Sequence, residues 1–306
     1  MFIRRGKLAA FPTETVYGLG ADAWNAAAVK RIYEVKGRPL DNPMIVHVAN
    51  RSNVLDVADS VPPIAEALMS EFFPGPLTLV LNKAEALPPV VTAGLSTVGI
   101  RVPSHPVAQD FLRACGTPVV APSANRSGAP SPTSWESVSE DLYGLVECIL
   151  QGGRSPVGLE STVVDCTATM PVILREGAVS LGMLREVVPS IEPASASAGR
   201  EHRSPGRRHR HYAPRATVRL YEPATAKAHP SSAYIGITAP QGSADFGYVL
   251  ICRDADHYAH EIFHFLRECD RKGLRRAYCE RPPEAGVGAA LLDRIMRAGD
   301  KASGSD

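Results

Sequence analysis

At 306 residues, with 44% hydrophobic and 21% charged side chains, the chain is long enough for one large or two ordinary globular domains, and disorder of the whole is excluded. Lysine and arginine number 33 against 32 aspartates and glutamates, a net charge of +1, so any basic surface for a nucleic acid has to be local. No apolar run approaches the ~20 residues of a membrane span, the charged N-terminus has no apolar signal core behind it, and the six cysteines show no C-x-x-C spacing. The expectation is a cytoplasmic protein with no membrane association and neither a zinc ribbon nor a disulfide framework.

Residues 8–11 are apolar and run into Pro12-Thr13-Glu14-Thr15-Val16-Tyr17-Gly18, which reads as a strand ending in a turn that presents hydroxyls and backbone amides. The plainer alternative is a simple chain reversal served by Gly18 and Gly20. Residues 26–34 have helical spacing (Ala28, Val29, Ile32, Tyr33) and lead to Lys36-Gly37-Arg38-Pro39. Two fixed cations therefore sit at a helix C-terminus or just after it, with Asn42 and His47 close behind. This is phosphate-handling chemistry without a P-loop, since no G-x-x-x-x-G-K-[ST] occurs in the chain.

A short strand at 44–48 carries His47, and 54–73 holds a helical segment punctuated by Pro62 and Pro63. Pro74-Gly75-Pro76 breaks it before a strand at 77–81, and a strand at 97–102 sets Arg101 among apolar neighbours. A helix at 106–114, a buried strand at 118–121, a polar loop at 122–128 and strands at 161–165 and 172–175 follow. Strands and helices mixed in this way indicate an α/β domain, whose ligands bind at loops on the strand ends.

From 189 to about 206 the composition shifts to Pro, Ala, Ser and Gly, which is linker chemistry, and 200–215 is dense in Arg and His. Arg207, Arg208, His209, Arg210 and His211 also read as a solvated basic linker able to touch RNA. Strands at 217–220, 232–237 and 248–252, with helices at 257–271 and 288–298, make a second, smaller α/β domain. Within it, His260-Glu261-Ile262-Phe263-His264 fits the zincin pattern H-E-x-x-H, with Glu280 and Glu284 downstream as third-ligand candidates. The competing reading is a surface histidine stripe, because His257, His260 and His264 share one helical face.

Four motifs occur in order: Pro12-Thr13-Glu14-Thr15-Val16-Tyr17-Gly18-Leu19, Lys36-Gly37-Arg38-Pro39, Pro122-Ser123-Ala124-Asn125 and Glu160-Ser161-Thr162-Val163. On them, residues 6–190 resemble the YrdC-like domain of threonylcarbamoyl-AMP synthases. Ser204-Pro205-Gly206, His211-Tyr212-Ala213-Pro214 and the stretch from Arg281 to Gly288 are similar to the long, two-domain branch of that family. Arg207 and Arg208 depart from the family's pattern after the Gly. The first strand also begins almost at once, where the family usually has a helix ahead of it.

The resemblance implies a YrdC-like twisted mixed sheet with flanking helices over 1–190, a linker at 191–215 and a Rossmann-like α/β accessory domain at 216–306. It implies condensation of L-threonine, bicarbonate and ATP to threonylcarbamoyl-AMP and pyrophosphate. That adenylate is the donor with which downstream threonylcarbamoyl transferase machinery modifies adenosine 37 of tRNA, and direct tRNA contact is possible. Carried over position by position, Thr15, His47, Arg101, the backbone at Ala121 and Ser161 would hold threonine. Lys36, Arg38, Asn42, Thr97, Ser123, Asn125, Ser131, Arg175 and Tyr212 would hold ATP, with Lys36 and Arg38 catalytic. Magnesium is expected with the ATP, because it bridges phosphates and screens their charge, with no protein ligand assigned to it. An RNA-binding module, a zinc peptidase and a carbamoyl-transfer domain of hydrogenase maturation remain as alternatives of other classes.

Overall fold

The computed structural model describes residues 2–196, 199, 203–204 and 212–299, so the basic stretch from Arg207 to His211 lies outside the described residues. The first strands, β1 (Ala9–Phe11) and β2 (Gly18–Asp22), pair antiparallel with Ala9 opposite Gly20 and Phe11 opposite Gly18. Gly18 and Gly20 are therefore strand positions, and a chain-reversal role for them is corrected. A Cβ on Gly20 would lie 2.9 Å from Val119 Cγ1 and 3.1 Å from the Phe11 ring, so close packing of the layers requires glycine here.

Helix α1 (Ala26–Lys36) starts where the Asn25 side chain accepts the Ala28 N–H and stops at Gly37, whose φ of 61° is left-handed. Its buried face is Ala28, Val29, Ile32 and Tyr33, and the same spacing carries Lys36 inward at the last turn. Next come β3 (Ile45–His47), a short 3-10 turn at Arg51–Asp56 and α2 (Pro63–Phe72), with Pro63 at the helix start rather than interrupting it. Then follow β4 (Leu77–Asn82), β5 (Thr97–Arg101), α3 (Pro106–Cys115), β6 (Val119–Val120), α4 (Trp135–Leu142), β7 (Cys148–Ile149), β8 (Thr162–Asp165), β9 (Val172–Arg175) and α5 (Leu181–Val187). The strands form one mixed sheet in the order β7-β1-β2-β6-β3-β5-β4-β8-β9. Helices α4 and α5 have no counterpart in the sequence reading because they bury few apolar side chains: Val138 and Leu142 in one, Leu184 in the other.

The second half contributes β10 (Thr217–Leu220), β11 (Ser232–Gly236), β12 (Tyr248–Ile251), α6 (Ala255–Arg271), β13 (Arg276–Cys279) and α7 (Gly288–Gly299). Its four strands run parallel in the order β10-β13-β11-β12. Both helices share one core with Val218, Ile235 and Cys279, whereas Tyr234 and Tyr278 on the other face pack against Phe246 and Ala226 from loops. Strand β13, four residues beginning with an exposed arginine, is too short to show a period in sequence.

Helix α6 lies against the first half, and here the H-E-x-x-H motif takes on a packing role. Both oxygens of Glu261 accept from the Arg154 guanidinium, at 3.0 and 3.1 Å, and His260 Nδ1 lies 3.1 Å from the Pro156 carbonyl. Further along the helix Arg267 meets Asp141 at 2.7 Å and Arg271 meets Glu140 at 2.8 Å. Glu280 is likewise committed, accepting the backbone N–H groups of Ile237 and Thr238. Among the described residues no group of three or more His, Cys, Asp or Glu side chains could hold a metal ion, and no helix is long and apolar enough to cross a membrane.

The contact is tight at Gly158, where φ is +80° and a Cβ would stand 2.5 Å from His260 Cα. Backbone atoms cannot yield as a flexible side chain can. Gly158→Ala is therefore expected to destabilise the protein by about 2 kcal/mol or more, read as a lower urea midpoint than that of the unsubstituted chain.

Candidate active site

The segment after β1, the C-terminal ends of β3 and β5, the loop after β6 and the loop before β8 enclose a cavity of about 70 Å³. It adjoins a wider cleft of about 1080 Å³ between the two halves, the two sharing Ser127, Gly128 and Ala129 as a common wall. Sites for small organic ligands generally need roughly 300 Å³ or more, so the closed cavity is smaller than a nucleotide plus an amino acid.

One side of the cavity is organised by Thr13, whose Oγ1 accepts the N–H groups of Thr15 and Val16 and donates to the Val16 carbonyl at 2.7 Å. That turn fixes Glu14 and Thr15 toward Arg101 at the end of β5. The Arg101 guanidinium donates through Nε to the Gly75 carbonyl (3.1 Å) and through Nη1 to Thr15 Oγ1 (2.7 Å). Its Nη2 stands 2.6 Å from Glu14 Oε1, at a distance but not an angle suited to a hydrogen bond, and we treat this contact as an ion pair. Burial pushes the Glu14 carboxyl up, but the positive charge of Arg101 beside it outweighs burial, and the group is held below its ordinary 4.5. His47 sits opposite Arg101 in the β3–β5 register. Burial, with Arg101 adding to it, lowers the imidazole to about 3, so it is neutral at ordinary pH, and its Nδ1 has no partner among the described residues. Ala121 already donates its N–H to the Ile45 carbonyl, so its carbonyl is what it can offer a ligand.

The opposite side is built from cations. Lys36 Nζ reaches the carbonyls of Ser123 and Asn125 and, at 3.4 Å, Asn125 Oδ1. Asn125 is itself locked by donating to the carbonyls of Arg126 and Ala129. Burial and then Arg38 push the Lys36 pKa well down, whereas three oxygen acceptors around one nitrogen suit an ammonium. Arg38 donates to the carbonyls of Asn42 (3.1 Å) and Pro43 (2.6 Å), bracing the loop that leads to β3, and burial lowers it to about 10.

Arg175 reaches the Ser161 carbonyl at 2.9 Å and Ser161 Oγ at 3.1 Å, and Ser161 Oγ also meets Thr78 Oγ1 at 2.7 Å. Ser131 donates to Glu160 at 2.6 Å. Tyr212, at φ 62° and buried, closes this side from the linker and packs 5.2 Å from the Phe263 ring of α6. Burial raises its hydroxyl to about 12.

The structure thus gathers Thr15, Lys36, Arg38, His47, Arg101, Ala121, Ser123, Asn125, Ser131, Ser161, Arg175 and Tyr212 around one cavity. Asn42 and Thr97 stand outside its wall. Asn42 is buried with its carbonyl accepting from Arg38, and Thr97 is buried at the start of β5 opposite Asn82. Thr13, Glu14 and Glu160 are among the site residues that sequence reasoning left unassigned, although all three lie inside quoted motifs. Neither carboxylate suits a resident divalent ion, because Arg101 engages the first and Arg294 the second, at 2.9 Å.

Lys36 and Arg38 at the end of α1, with Arg101 and Arg175 at strand ends, put four buried cations round one cavity of an α/β fold with no P-loop, the site of an enzyme that handles anionic, phosphorylated substrates. Comparison with known proteins makes the assignment specific. Residues 1–177 match the Sua5, YciO and YrdC family described as telomere recombination, and residues 179–299 match the threonylcarbamoyl-AMP synthase C-terminal domain. The threonylcarbamoyl-AMP synthase of Pyrococcus abyssi is 43% identical over 97% of this chain and 92% of its own. That of Bacillus subtilis is 40% identical over 97% and 90%. The crystal structure of P. abyssi Sua5 complexed with L-threonine superposes with a TM-score of 0.90 at 41% identity, covering 97% of this chain and 92% of that one. The chain belongs to the threonylcarbamoyl-AMP synthase family.

Glu14→Gln leaves the buried Arg101 guanidinium without its counter-charge and is expected to cost about 3 kcal/mol of stability. Because the folded Glu14 titrates below 4.5, its contribution is complete above that pH and is lost as pH falls through the folded value. The variant's stability should accordingly vary less with pH in that acid range, measured by urea unfolding at a series of pH values.

Proposed function

We propose that the cavity, together with the cleft it adjoins, condenses L-threonine, bicarbonate and ATP to threonylcarbamoyl-AMP and pyrophosphate, the observation carrying this reading being an amino-acid-type subsite beside a phosphate-type subsite that borders the cleft. Arg101 offers a planar fork for the threonine carboxylate, with Thr15 and the Ala121 carbonyl beside it. His47, neutral and with an open Nδ1, can take a hydrogen bond from the substrate without adding positive charge next to Arg101.

The threonine amine and bicarbonate give the carbamate with loss of water. A carbamate oxygen then attacks the α-phosphorus of ATP, and the bond to the β-phosphate oxygen breaks as pyrophosphate leaves. No enzyme nucleophile is required, so the chain's work is to align the carbamate with the α-phosphate and to meet the growing negative charge. Lys36, Arg38 and Arg175 line the side where that charge develops. A phosphate group would restore the proton affinity that burial takes from Lys36. Magnesium enters this scheme with the ATP as part of the substrate, where it bridges phosphates and screens their charge. The labile adenylate passes to a transferase that modifies adenosine 37 of tRNA, in the cytoplasm.

Pyrophosphate release measured with ATP, magnesium and bicarbonate, with and without L-threonine, tests the proposal, and release that ignores threonine would defeat it. Arg101→Ala should raise the threonine KM by about 10- to 100-fold, the worth of a charge-assisted contact. Lys36→Ala and Arg38→Ala should instead lower kcat/KM for ATP. Unchanged kinetics in all three variants would remove the site assignment.

A further inference from the structure

Glu160 joins the two halves of the chain at the cavity. It is 7% exposed and immediately precedes Ser161. Its Oε1 accepts from Ser131 Oγ at 2.6 Å and its Oε2 from Arg294 Nε at 2.9 Å. Arg294 belongs to α7, and its side chain is wholly buried. The same guanidinium donates to the Glu176 carbonyl at 2.8 Å and to Asp293 at 2.7 Å, and lies 5.5 Å from the centre of the Tyr212 ring. Ser131, Glu160, Arg175 and Tyr212 all line the cavity, whereas Arg294 does not.

Charge explains why this arrangement matters. Burial by itself would raise Glu160; Arg294 first and Arg175 second more than offset it, and the carboxylate is held below 4.5. Arg175 is thus the other cation within electrostatic reach of Glu160. With Arg294 removed, Glu160 would draw Arg175 toward itself and away from Ser161, where it now donates at 2.9 Å. Tyr212 would also lose the cation above its ring.

We propose that Arg294 is a positioning residue for the nucleotide: by engaging Glu160 and bracing Tyr212 it reserves Arg175 for the ligand, so the second half of the chain forms part of the site without touching substrate. This rests on the reading of the Lys36 and Arg175 side as the ATP subsite. The threonine carboxylate subsite is organised separately, through Thr13, Glu14 and Arg101, and Ser161, although it loses Arg175, keeps its 2.7 Å contact with Thr78, so the larger effect of losing Arg294 falls on ATP.

Full-length Arg294→Met, Arg294→Lys and the double variant Glu160→Gln/Arg294→Met decide it, with ATP and threonine KM measured separately by pyrophosphate release. Arg294→Met is expected to raise the ATP KM by about tenfold or more while the threonine KM stays within about twofold. Its ATP KM should worsen further as pH rises and Glu160, relieved of Arg294, ionises and competes for Arg175; the double variant should lack that pH limb. Arg294→Lys, which keeps the charge but not the fork, should show a smaller ATP-selective defect.

If Arg294→Met does not fold, the other two variants carry the same ATP-against-threonine comparison. An ATP KM within about twofold of the unsubstituted enzyme in the folded variants, or equal rises for both substrates, would overturn the proposal. Absence of threonine-dependent pyrophosphate release from the unsubstituted protein would overturn the underlying reading as well, before any variant is compared.

Discussion

Positive charges held close together inside a protein repel one another, and the whole site is shaped by that constraint. Lys36, Arg38, Arg101 and Arg175 are each less than 9% exposed around one cavity. Each is held by oxygen atoms of the chain itself: Lys36 by Ser123 and Asn125, Arg38 by Asn42 and Pro43, Arg101 by Gly75, Thr15 and Glu14, Arg175 by Ser161. Carbonyl oxygens neutralise only partly, so a site of this kind keeps an affinity for anionic ligands while staying folded without them. Preorganised donors of this sort need no reorganisation when charge develops on a departing pyrophosphate.

The same constraint accounts for how the halves meet. Charged contacts between them are spread along α6 and α7, Glu261 with Arg154, Arg267 with Asp141, Arg271 with Glu140 and Arg294 with Glu160, beside an apolar one in which Val16 and Leu159 join the core of the second half. Arg267 also donates to the carbonyl of Pro130, next to Ser131 in the cavity wall. An interface that is polar and cross-linked in this way keeps its partners in register, because a buried guanidinium displaced from its carboxylate strands both charges. The accessory half is therefore coupled to the site by geometry that a purely apolar contact, which tolerates sliding, would not impose.

The H-E-x-x-H motif shows how the same residue pattern serves different physics. On an isolated helix, His260 and His264 present two ligands at the right spacing for zinc, with Glu261 between them in the place of a general base. In the folded chain Glu261 has both oxygens on Arg154, and His260 is turned to the Pro156 carbonyl at a point where Gly158 allows the backbones to touch. Arg154 therefore occupies the carboxylate that a zincin would use as its general base, and the segment serves the packing of α6 on the first half.

Much of the first domain was legible from residue order alone. The helix ending at Lys36 follows from the spacing of Ala28, Val29, Ile32 and Tyr33, and the strand carrying Arg101 from alternation about it, because helix and strand periods are local properties of the chain. The motifs around Thr15, Lys36, Ser123 and Ser161 likewise identify a family before any fold is built. What sequence could not supply is which distant residues share a charge. Glu14 with Arg101, Glu160 with Arg294, and the exclusion of Asn42 and Thr97 from the wall depend on strand register and on the docking of α7. Strand and helix are set by neighbours a few residues apart, whereas the pairing of buried charges is set by the packing of surfaces far apart in the chain, 134 residues for Glu160 and Arg294, and the tertiary structure alone decides it.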